Sequence, residues 1–443
     1  LDLAPYQNLL DAAVSRSQCW VGLTQSANAQ FTDGGGGNYT FNSTNGASGL
    51  YVFTLNQDLD PGFGSSLTFT NFPDDATILI NVLGATRSLN ITNITVNGTA
   101  MGTGSFTAEP LAEQILWNFP TATTVTLNGS SQFWGSVVAP QADVTLGTST
   151  NGRLLIGGDL NQGTVSGAGL ELHNYPFNGS LPTCDRGDLP DTGAGTGAGN
   201  YATLISDNGP THIVTSTTPR LGACVDGESD GQQGTTASGD NSNGSDAIDT
   251  TALDPTHVNV QGTCGASGDE DGVVVAAGSG AGGVWQDGAN GGSIDVVGTT
   301  GACLNGWIDW NGNGSFLDAN EQVASNVALT GASQNIQFTV PAGTFTGIGP
   351  NINLHARYRV TQNCGTNDYI NPSTGAAVAP SPDGPANNGE VEDYLWSFTP
   401  TAVELQQVAG TTSNHPSTAV LFTLTSLLLI TALFVLRRAS QRF

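Results

Sequence analysis

The sequence predicts an all-β chain in three parts: an N-terminal β-solenoid (β-helix) with one long flanking α-helix, an antiparallel β-sandwich, and a C-terminal transmembrane helix. Glycine contributes 60 of 443 residues and charged residues only 11%, well below the ~25% of an average globular domain. Short β-branched and aromatic runs between Gly/Asn turns fill most of the chain. One uncharged apolar run stands near the carboxy end.

The charge balance limits the kinds of partner. The net charge is −27, and all ten basic residues are Arg, since the chain contains no Lys. Nucleic acid is excluded because its phosphates would be repelled, whereas cations are plausible ligands. None of the six cysteines forms a CxxC pair, so a zinc knuckle is not expected. Scattered cysteines in an acidic, Gly-rich chain indicate an oxidising, extracytoplasmic compartment.

The first element is an amphipathic helix at residues 2–23, in which Leu3, Leu9, Leu10, Ala13 and Val14 recur at helical spacing. Short predicted strands follow it. The tripeptide Val-Thr-Leu recurs at 125–127 and 144–146, nineteen residues apart. A period near twenty without intervening helices fits one coil of a β-solenoid. Periodicity from two copies leaves a β-sandwich open as the alternative.

Residues 1–182 resemble a known family. The runs WNFP, GSVVAPQADVT and HNYPF occur in this order between residues 115 and 182, as in the choice-of-anchor A domain of bacterial surface proteins. The resemblance implies a β-solenoid and a role in adhesion, and some members are regarded as collagen adhesins. More distantly, the segment is similar to ice-binding β-solenoids that carry a long helix beside the stack. Because further coils normally precede this helix in the family, we expect the domain to be truncated at its N-terminus.

Residues 185–398 form the second predicted domain. The strand at 352–361 alternates cleanly between apolar and polar side chains, as in one sheet of an antiparallel sandwich. The run GEVEDY at 389–394, with GWIDWNGNG and ARYRV before it, resembles the GEVED domain of bacterial secreted proteins. That family is an accessory module, so the resemblance implies no catalytic activity.

The carboxy end predicts a membrane anchor. Residues 399–416 read as a polar stalk, and residues 417–436 are twenty uncharged, mostly apolar residues. A helix of that length covers the ~30 Å hydrocarbon layer. The basic tail at 437–443 would remain cytoplasmic. The protein would thus be displayed on the cell surface, its extracellular domains held by a C-terminal transmembrane helix.

Two surface motifs overlap at residues 186–193. Arg186-Gly187-Asp188 is an integrin-type tripeptide, and the run LPDTG at 189–193 is a sortase-type signal. No apolar span follows this run directly, so the sortase reading is rejected. The same run begins the GEVED-like domain, so the resemblance implies that its likeness to a sortase signal is accidental. The integrin-type tripeptide falls at the junction between the two domains, and we expect no integrin binding.

Two kinds of side-chain pairing are predicted. Neighbouring strands would bring Cys303 and Cys364 within the ~4.4–6.8 Å that a disulfide needs between Cα atoms. Cys224 with Cys264 is the second candidate disulfide, and Cys19 with Cys184 is the residual pair. Arg357 and Arg359 on one strand are expected to meet Glu390 or Glu392 on another.

A cation loop is predicted at residues 309–321. Oxygen-bearing residues occupy positions 1, 3 and 5, with Gly314 at position 6, as in the first half of an EF-hand loop. The second half departs from that pattern, because position 12 is Asn320. A strand precedes the loop, so we expect a Ca²⁺ site between strands; an ordinary Gly/Asn turn is the alternative. The candidate ligands are Asp309, Asn311, Asn313, Ser315, Asp318 and Glu321.

The sequence gives no sign of an enzyme. No HExxH or GxSxG motif occurs, and the GxGxxG at 278–283 is followed by a predicted strand rather than by the helix that a dinucleotide site requires. We expect no catalytic residues and no small-molecule cofactor. The sequence favours a membrane-anchored surface protein with non-catalytic binding modules, directed at extracellular matrix or surface glycan. The alternatives are an ice-binding surface protein, for which VTL repeats give few aligned Thr rows, and an accessory part of a carbohydrate-active enzyme whose catalytic domain is missing upstream.

Overall fold

The computed structural model describes residues 4–23, 25–101, 110–165, 168–215, 217–225, 227–228, 230–237, 261–262, 270–345, 351–365, 368–371 and 374–398. They belong to one compact unit, Leu1–Pro400. The predicted stalk, transmembrane helix and basic tail lie outside the described residues. Within the described ranges, no helix is long and apolar enough to cross a membrane.

Helix α1 spans Ala4–Val21, two residues shorter at each end than the predicted 2–23. Ala13, Ser17 and Trp20 are buried at helical spacing on one face. The helix ends where the N–H groups of Gly22 and Leu23 donate back to the carbonyls of Cys19 and Trp20. The buried face packs on the stack of strands that follows.

The first eighteen strands are short, as expected for coils of a solenoid, and a 3₁₀ turn at Pro110–Gln114 interrupts them. In chain order they are β1 Ala29–Asp33, β2 Asn38–Ser43, β3 Leu50–Leu55, β4 Ser65–Thr70, β5 Thr77–Val82, β6 Thr86–Val96, β7 Thr99–Met101, β8 Ile115–Asn118, β9 Thr124–Asn128, β10 Phe133–Trp134, β11 Ser136–Ala139, β12 Asp143–Leu146, β13 Thr150–Asn151, β14 Leu154–Ile156, β15 Leu160–Gln162, β16 Thr164–Val165, β17 Ala168–Gly169 and β18 Leu172–His173.

These strands form a β-solenoid, which we define as residues 29–173. One sheet has the order β1-β2-β4-β6-β9-β12-β15, with β7 beside β6, and a second has the order β14-β11-β8-β5-β3. Apart from β1 and β7 these pairs are parallel, which excludes the sandwich alternative for this part because a sandwich is antiparallel. Val125 lies opposite Val144, so the nineteen-residue repeat is one coil.

Side chains from both sheets fill the interior of the solenoid. Phe41 stacks on Phe69, with ring centroids 5.0 Å apart, and meets Trp117 edge-on at 5.9 Å. Val125 and Val144 continue this core into the later coils, and all five side chains are at most 1% exposed. Because apolar and polar residues alternate along the strands, the apolar side chains face the interior and the polar side chains lie on the outer surface.

Helix α1 covers the outer face of the second sheet through apolar and amide contacts. Val52, Leu79, Leu116 and Val138 pack with Ala13 and Trp20 of the helix in one buried cluster. The Asn118 amide donates to the Ser17 carbonyl at 2.9 Å, and that of Asn81 donates to the Trp20 carbonyl at 2.8 Å. These bonds fix the position of the helix along the stack.

The remaining strands build the second half of the unit, with 3₁₀ turns at Ile205–Asp207 and Ala281–Gly283. They are β19 Thr183–Arg186, β20 Thr211–Val214, β21 Cys224–Val225, β22 Gln261–Gly262, β23 Val273–Val275, β24 Gly288–Val296, β25 Cys303–Asp309, β26 Gln322–Ala328, β27 Gln334–Val340, β28 Ile352–Thr361, β29 Tyr369–Ile370, β30 Ala377–Val378, β31 Pro385–Ala386 and β32 Gly389–Phe398.

Two antiparallel sheets of this half, which we call the sandwich, share a core. Their orders are β26-β25-β28-β32 and β23-β24-β27. Ile294 and Phe338 of one sheet are buried in the same cluster as Leu304, Ala356 and Tyr358 of the other. A third sheet, β19-β20-β31-β29-β30, belongs to the same half.

The predicted pairing of Arg357 or Arg359 with Glu390 or Glu392 was wrong, because Arg357 pairs with the residue after Glu392, Asp393. Strands β28 and β32 are neighbours, as required, but Arg357 stands opposite Asp393, and Glu392 stands opposite Tyr358. Side chains directly opposite share a face of the sheet, so the Glu side chains project to the side away from the Arg residues. Arg357 therefore forms a buried ion pair with Asp393, with 2.8 Å between Nε and Oδ1.

The predicted disulfides are confirmed for two pairs. Cys303–Cys364 has Cα atoms 5.0 Å apart and Cys19–Cys184 has Cα atoms 5.8 Å apart. Cys224 is disulfide-bonded as well, while its predicted partner Cys264 lies outside the described residues. The Cys19–Cys184 bond joins helix α1 to strand β19, and so links the two halves of the unit covalently.

Candidate functional site

The integrin-type tripeptide and the first three residues of the adjacent sortase-type run are part of the protein core, whereas Thr192 and Gly193 are exposed. Arg186 is 2% exposed, while Asp188 and Leu189 are fully buried. The N–H groups of Asp188 and Leu189 both donate to Asp393 Oδ2, at 2.7 and 3.1 Å. A receptor could not reach this tripeptide without unfolding the segment, so the tripeptide is not a surface signal.

Asp309 organises the predicted cation loop. It ends strand β25 and is 1% exposed. Its Oδ1 accepts the N–H of Gly312 at 2.7 Å, and its Oδ2 accepts the N–H of Gly314 at 2.9 Å. Gly314 has a φ of +83° and lies so close to neighbouring backbone that a Cβ would stand 1.9 Å from the Gly197 carbonyl oxygen. Glycine is therefore required for the turn at position 6.

Four of the other predicted ligands converge beside Asp309, and Ser315 supports the turn. The Asn311 and Asn313 amides both donate to Asp318 Oδ2, at 2.9 and 2.6 Å. Glu321 Oε2 accepts the Asp318 N–H at 3.0 Å. The Ser315 N–H donates to Asn313 Oδ1 at 2.9 Å. The structure thus brings the polar side chains of the predicted set together at one end of the sandwich.

The carboxylates in this loop disfavour one another. Burial raises the pKa of Glu321 to about 7, and the negative charges of Asp309 and Asp318 add to this rise. In the part of the chain that the structure describes, no group of three or more His, Cys, Asp or Glu side chains has the spacing of a metal site. A cation would depend on the Asn side chains, whose amide orientation would have to reverse to present Oδ1.

The broad outer face of the solenoid is a feature that sequence reasoning missed. Thr32, Thr40, Thr68 and Thr95 stand side by side across strands β1, β2, β4 and β6. A second row continues from β6 to β15, with side chains that share a hydroxyl or amide group: Ser88, Thr126, Thr145 and Asn161. Adjacent strands are ~4.8 Å apart, so the rows form a regular lattice of polar groups.

This face, which we call the Thr face, is uncharged along both rows. Neighbouring rows add further Ser, Thr and Asn side chains, with Asp143 at one edge and with Asp60 beside the second row, where its carboxylate accepts the Ser88 hydroxyl at 2.7 Å. The VTL repeat aligns only Thr126 with Thr145, as the sequence suggested, and the row of four Thr was missed because coil length varies. Thr68 follows Thr40 by 28 residues and Thr95 follows Thr68 by 27, whereas the VTL repeat has a period of nineteen. A fixed-period search misses such rows.

Comparisons with known proteins assign a family model to each half. Residues 2–174 match the model described as "Putative Ice-binding-like adhesive domain". Residues 303–396 match the GEVED domain, which confirms that resemblance over the later part of the predicted range. The matched description does not use the choice-of-anchor A name, so that resemblance stays a prediction. No curated protein and no solved structure matches the chain. An adhesive domain followed by a GEVED domain fits a non-catalytic surface binding protein.

Proposed function

We propose that the chain is a non-catalytic adhesin that is displayed on the cell surface and binds its target through the Thr face of the solenoid. The observation that carries the proposal is the pair of uncharged polar rows on this face, together with the match to an adhesive domain. A flat sheet of hydroxyl and amide groups can hydrogen-bond a repetitive, polar partner over a large area. Fibrous matrix proteins and surface glycans have that character.

The test places bulky cations in the rows. In the full chain, Thr40→Lys, Thr68→Lys and Thr95→Lys are combined, and binding to immobilised fibrillar collagen and to a panel of surface polysaccharides is measured by interferometry. We expect binding to one of these probes to fall at least ~10-fold, a loss of ~1.4 kcal/mol. The matched control carries Asn335→Lys, Gln337→Lys and Thr339→Lys, three exposed residues on strand β27 of the sandwich. Equal loss in both variants would contradict the proposal.

The membrane anchor belongs to the same proposal. The uncharged run at 417–436 and the three Arg residues after it support a helix that crosses the membrane with the tail inside. Protease treatment of intact cells should release both β halves and leave the tail protected. Cleavage of the tail in intact cells would show that the orientation is reversed.

We also propose that the loop at 309–321 binds Ca²⁺. The ligands would be Asp309, Asn311, Asn313, the Ser315 carbonyl, Asp318 and Glu321, and the bound charge would relieve the repulsion among the carboxylates. An extracellular loop of this kind has a Kd of ~10⁻⁴–10⁻³ M. Calorimetry with Ca²⁺ and with EDTA tests this, with Asp318→Asn as the variant. A melting temperature of the wild type that does not change at millimolar Ca²⁺ would defeat the proposal.

Ice binding is the second candidate function, because the Thr face resembles a lattice of hydroxyl groups and the matched model is described as ice-binding-like. The discriminating measurement is inhibition of ice recrystallisation. Loss of inhibition in the triple Thr→Lys variant, with no binding of the wild type to collagen or polysaccharide, would favour this candidate over the adhesin.

A further inference from the structure

The last coil of the solenoid ends in a cavity with an apolar lining. Leu154 and Ile156 of β14 line it, and both pack against the core while remaining half-buried. Leu160 of β15 and Leu172 of β18 line it as well, and they are 42% and 50% exposed. The volume of about 460 Å³ falls in the range of small-molecule sites, which is ~300–1,000 Å³. The size and the lining therefore suit a small ligand that has an apolar face.

The same cavity has a polar edge at Arg153, His173 and Asn174. Arg153 is exposed, and its Nε donates to Asn174 Oδ1 at 3.0 Å. This bond uses one side of the guanidinium, and its two terminal amino groups have no acceptor among the residues that the structure describes. Paired N–H groups of this kind bind the two oxygens of a carboxylate. The edge therefore offers a place for a carboxylate beside the apolar lining.

The polar edge is held in place by buried contacts with the preceding coil. His173 Nδ1 lies 2.6 Å from Asn151 Oδ1, and its Nε2 lies 3.0 Å from Glu171 Oε2. Asn151 is only 4% exposed, and its amide donates to Gln132 Oε1 at 2.8 Å, which turns Asn151 Oδ1 toward the imidazole. The imidazole is thus fixed on both sides, and the edge keeps its shape without a ligand.

The charge of this lining is opposite in sign to that of the chain. Of the described residues that line the cavity, Arg153 is the only one with a permanent charge, and none is Asp or Glu. Glu171 borders the polar edge, but its carboxylate is bonded to His173. Asp159 adjoins Leu160 in sequence without lining the cavity. In a chain with 37 acidic and 10 basic residues, a cation in a cavity whose lining has no carboxylate favours an anionic ligand.

We propose that the cavity binds an acidic sugar, which is a pyranose ring that carries a carboxylate, as in the uronic acid units of anionic polysaccharides. The carboxylate would pair with the terminal amino groups of Arg153. One C–H face of the ring would pack on the leucine and isoleucine side chains, and a ring hydroxyl would hydrogen-bond the Asn174 amide. A fatty acid fits less well, because its chain needs an enclosed cavity, whereas Leu160 and Leu172 are exposed here. None of the lining residues belongs to the two rows of the Thr face, so the inference does not rest on the adhesin proposal.

Titration of the full chain, purified in a mild detergent, with methyl β-D-glucuronide tests the ligand class by saturation-transfer NMR. We expect a Kd on the order of 1 mM, as for a single sugar in an open site. Methyl β-D-glucoside lacks the carboxylate and hexanoate lacks the ring, so each should bind at least ~10-fold more weakly. A glucoside that binds as tightly would contradict the role of charge, and a hexanoate that binds as tightly would show that the ligand is an acyl carboxylate. No binding of the glucuronide well above that Kd would overturn the proposal.

Two substitutions at the cavity test its location. Arg153→Gln should weaken glucuronide binding at least ~10-fold, and Leu172→Glu, which puts a negative charge at a half-exposed position of the lining, should abolish it. Arg87→Gln is the matched control, because it removes the same charge from strand β6 of the solenoid, and it should leave the Kd unchanged. The triple Thr→Lys variant should still bind the glucuronide, so failure of this site and failure of the Thr face can be told apart. An Arg153→Gln variant that binds as tightly as the wild type would overturn the proposal.

Discussion

Arg357 is held more tightly than a surface cation could be. It is fully buried, and its guanidinium donates to both carboxylate oxygens of Asp393, at 2.8 and 2.9 Å. Further donors reach the Ala202 carbonyl and the Thr203 hydroxyl. Asp393 in turn accepts hydrogen bonds from the N–H groups of Asp188 and Leu189, at the start of the second half. One ion pair thus joins strand β28, strand β32 and the start of the second half.

We expect Arg357→Met to destabilise this half by ~3–5 kcal/mol, because it leaves the Asp393 charge buried without its partner. Chemical denaturation measures the change in the free energy of unfolding. The double variant Arg357→Met with Asp393→Asn should recover part of the loss, since both charges are then removed while the amide oxygen can still accept the N–H groups of Asp188 and Leu189. A double variant that is less stable than either single variant would show that packing, rather than charge, decides.

Glu392 should make stability depend on pH. It is fully buried, and burial raises its pKa to about 8 from an ordinary value of 4.5. The folded chain therefore binds a proton more tightly than the unfolded chain, so the stability that this group contributes is present at low pH and is lost as pH rises through about 8. Its oxygens accept the N–H of Gly272 at 2.8 Å and the Tyr394 hydroxyl at 3.0 Å.

The variant Glu392→Gln removes the titration and keeps an acceptor oxygen for the Gly272 N–H, while its Nε2 group faces the Tyr394 hydroxyl as a donor. We expect the melting temperature of the wild type to fall more between pH 6 and pH 9 than that of the variant, with the two curves diverging as pH rises. Glu321 titrates in the same pH range, but it is present in both proteins, so its effect on the melting temperature cancels when the two are compared. Parallel curves would show that Glu392 keeps the same protonation state throughout this range.

At the scale of elements, two stacked amides attach helix α1 to the solenoid. Asn118 lies next to Asn81 on the neighbouring strand, donates to its Oδ1 at 2.9 Å, and accepts the Ser17 hydroxyl at 2.5 Å. Both Asn side chains are fully buried. Each buried polar group is satisfied only while the helix stays in this position, so the pair specifies where the helix lies.

Asn118→Ala should cost ~1–3 kcal/mol, because it leaves Asn81 Oδ1 buried without its donor and the Ser17 hydroxyl buried without its acceptor. Hydrogen exchange should become faster in the second half of helix α1 and stay unchanged in strands β24 to β27. Thr145→Ala, at an exposed position of the Thr face, is the control and should change neither quantity. Uniform acceleration across the unit would show that the effect is global rather than at the helix.

The sequence predicted the elements better than their pairing. Alternation along residues 352–361 gave a correct strand, and the VTL repeat gave a correct coil. The partner of Arg357 was missed because alternation places a residue on a face but does not fix which residue stands opposite. The Thr face was missed because coils of unequal length have no single period. Both depend on register, which long-range packing decides.

At the scale of the whole molecule, the Cys19–Cys184 disulfide ties the two halves together covalently in addition to the backbone. It joins residues 165 apart in sequence, and in the chain-entropy model a loop of that length corresponds to ~5 kcal/mol of stabilisation. We expect the double variant Cys19→Ser with Cys184→Ser to unfold in two steps, whereas the wild type unfolds in one. Differential scanning calorimetry distinguishes these cases, and a single transition in the variant would show that non-covalent contacts suffice.

The same disulfide sets the route that mechanical tension takes through the protein. Strand β32 ends the described chain, and the Val391 N–H in this strand donates to Asp185 Oδ2 at 2.5 Å. Asp185 adjoins Cys184, which is bonded to helix α1. A pull on the chain after Phe398, resisted at the Thr face, would pass from β32 through Asp185 and the disulfide into the solenoid. Strands β28 and β25 stand between β32 and the predicted cation loop, so this loop lies off that path.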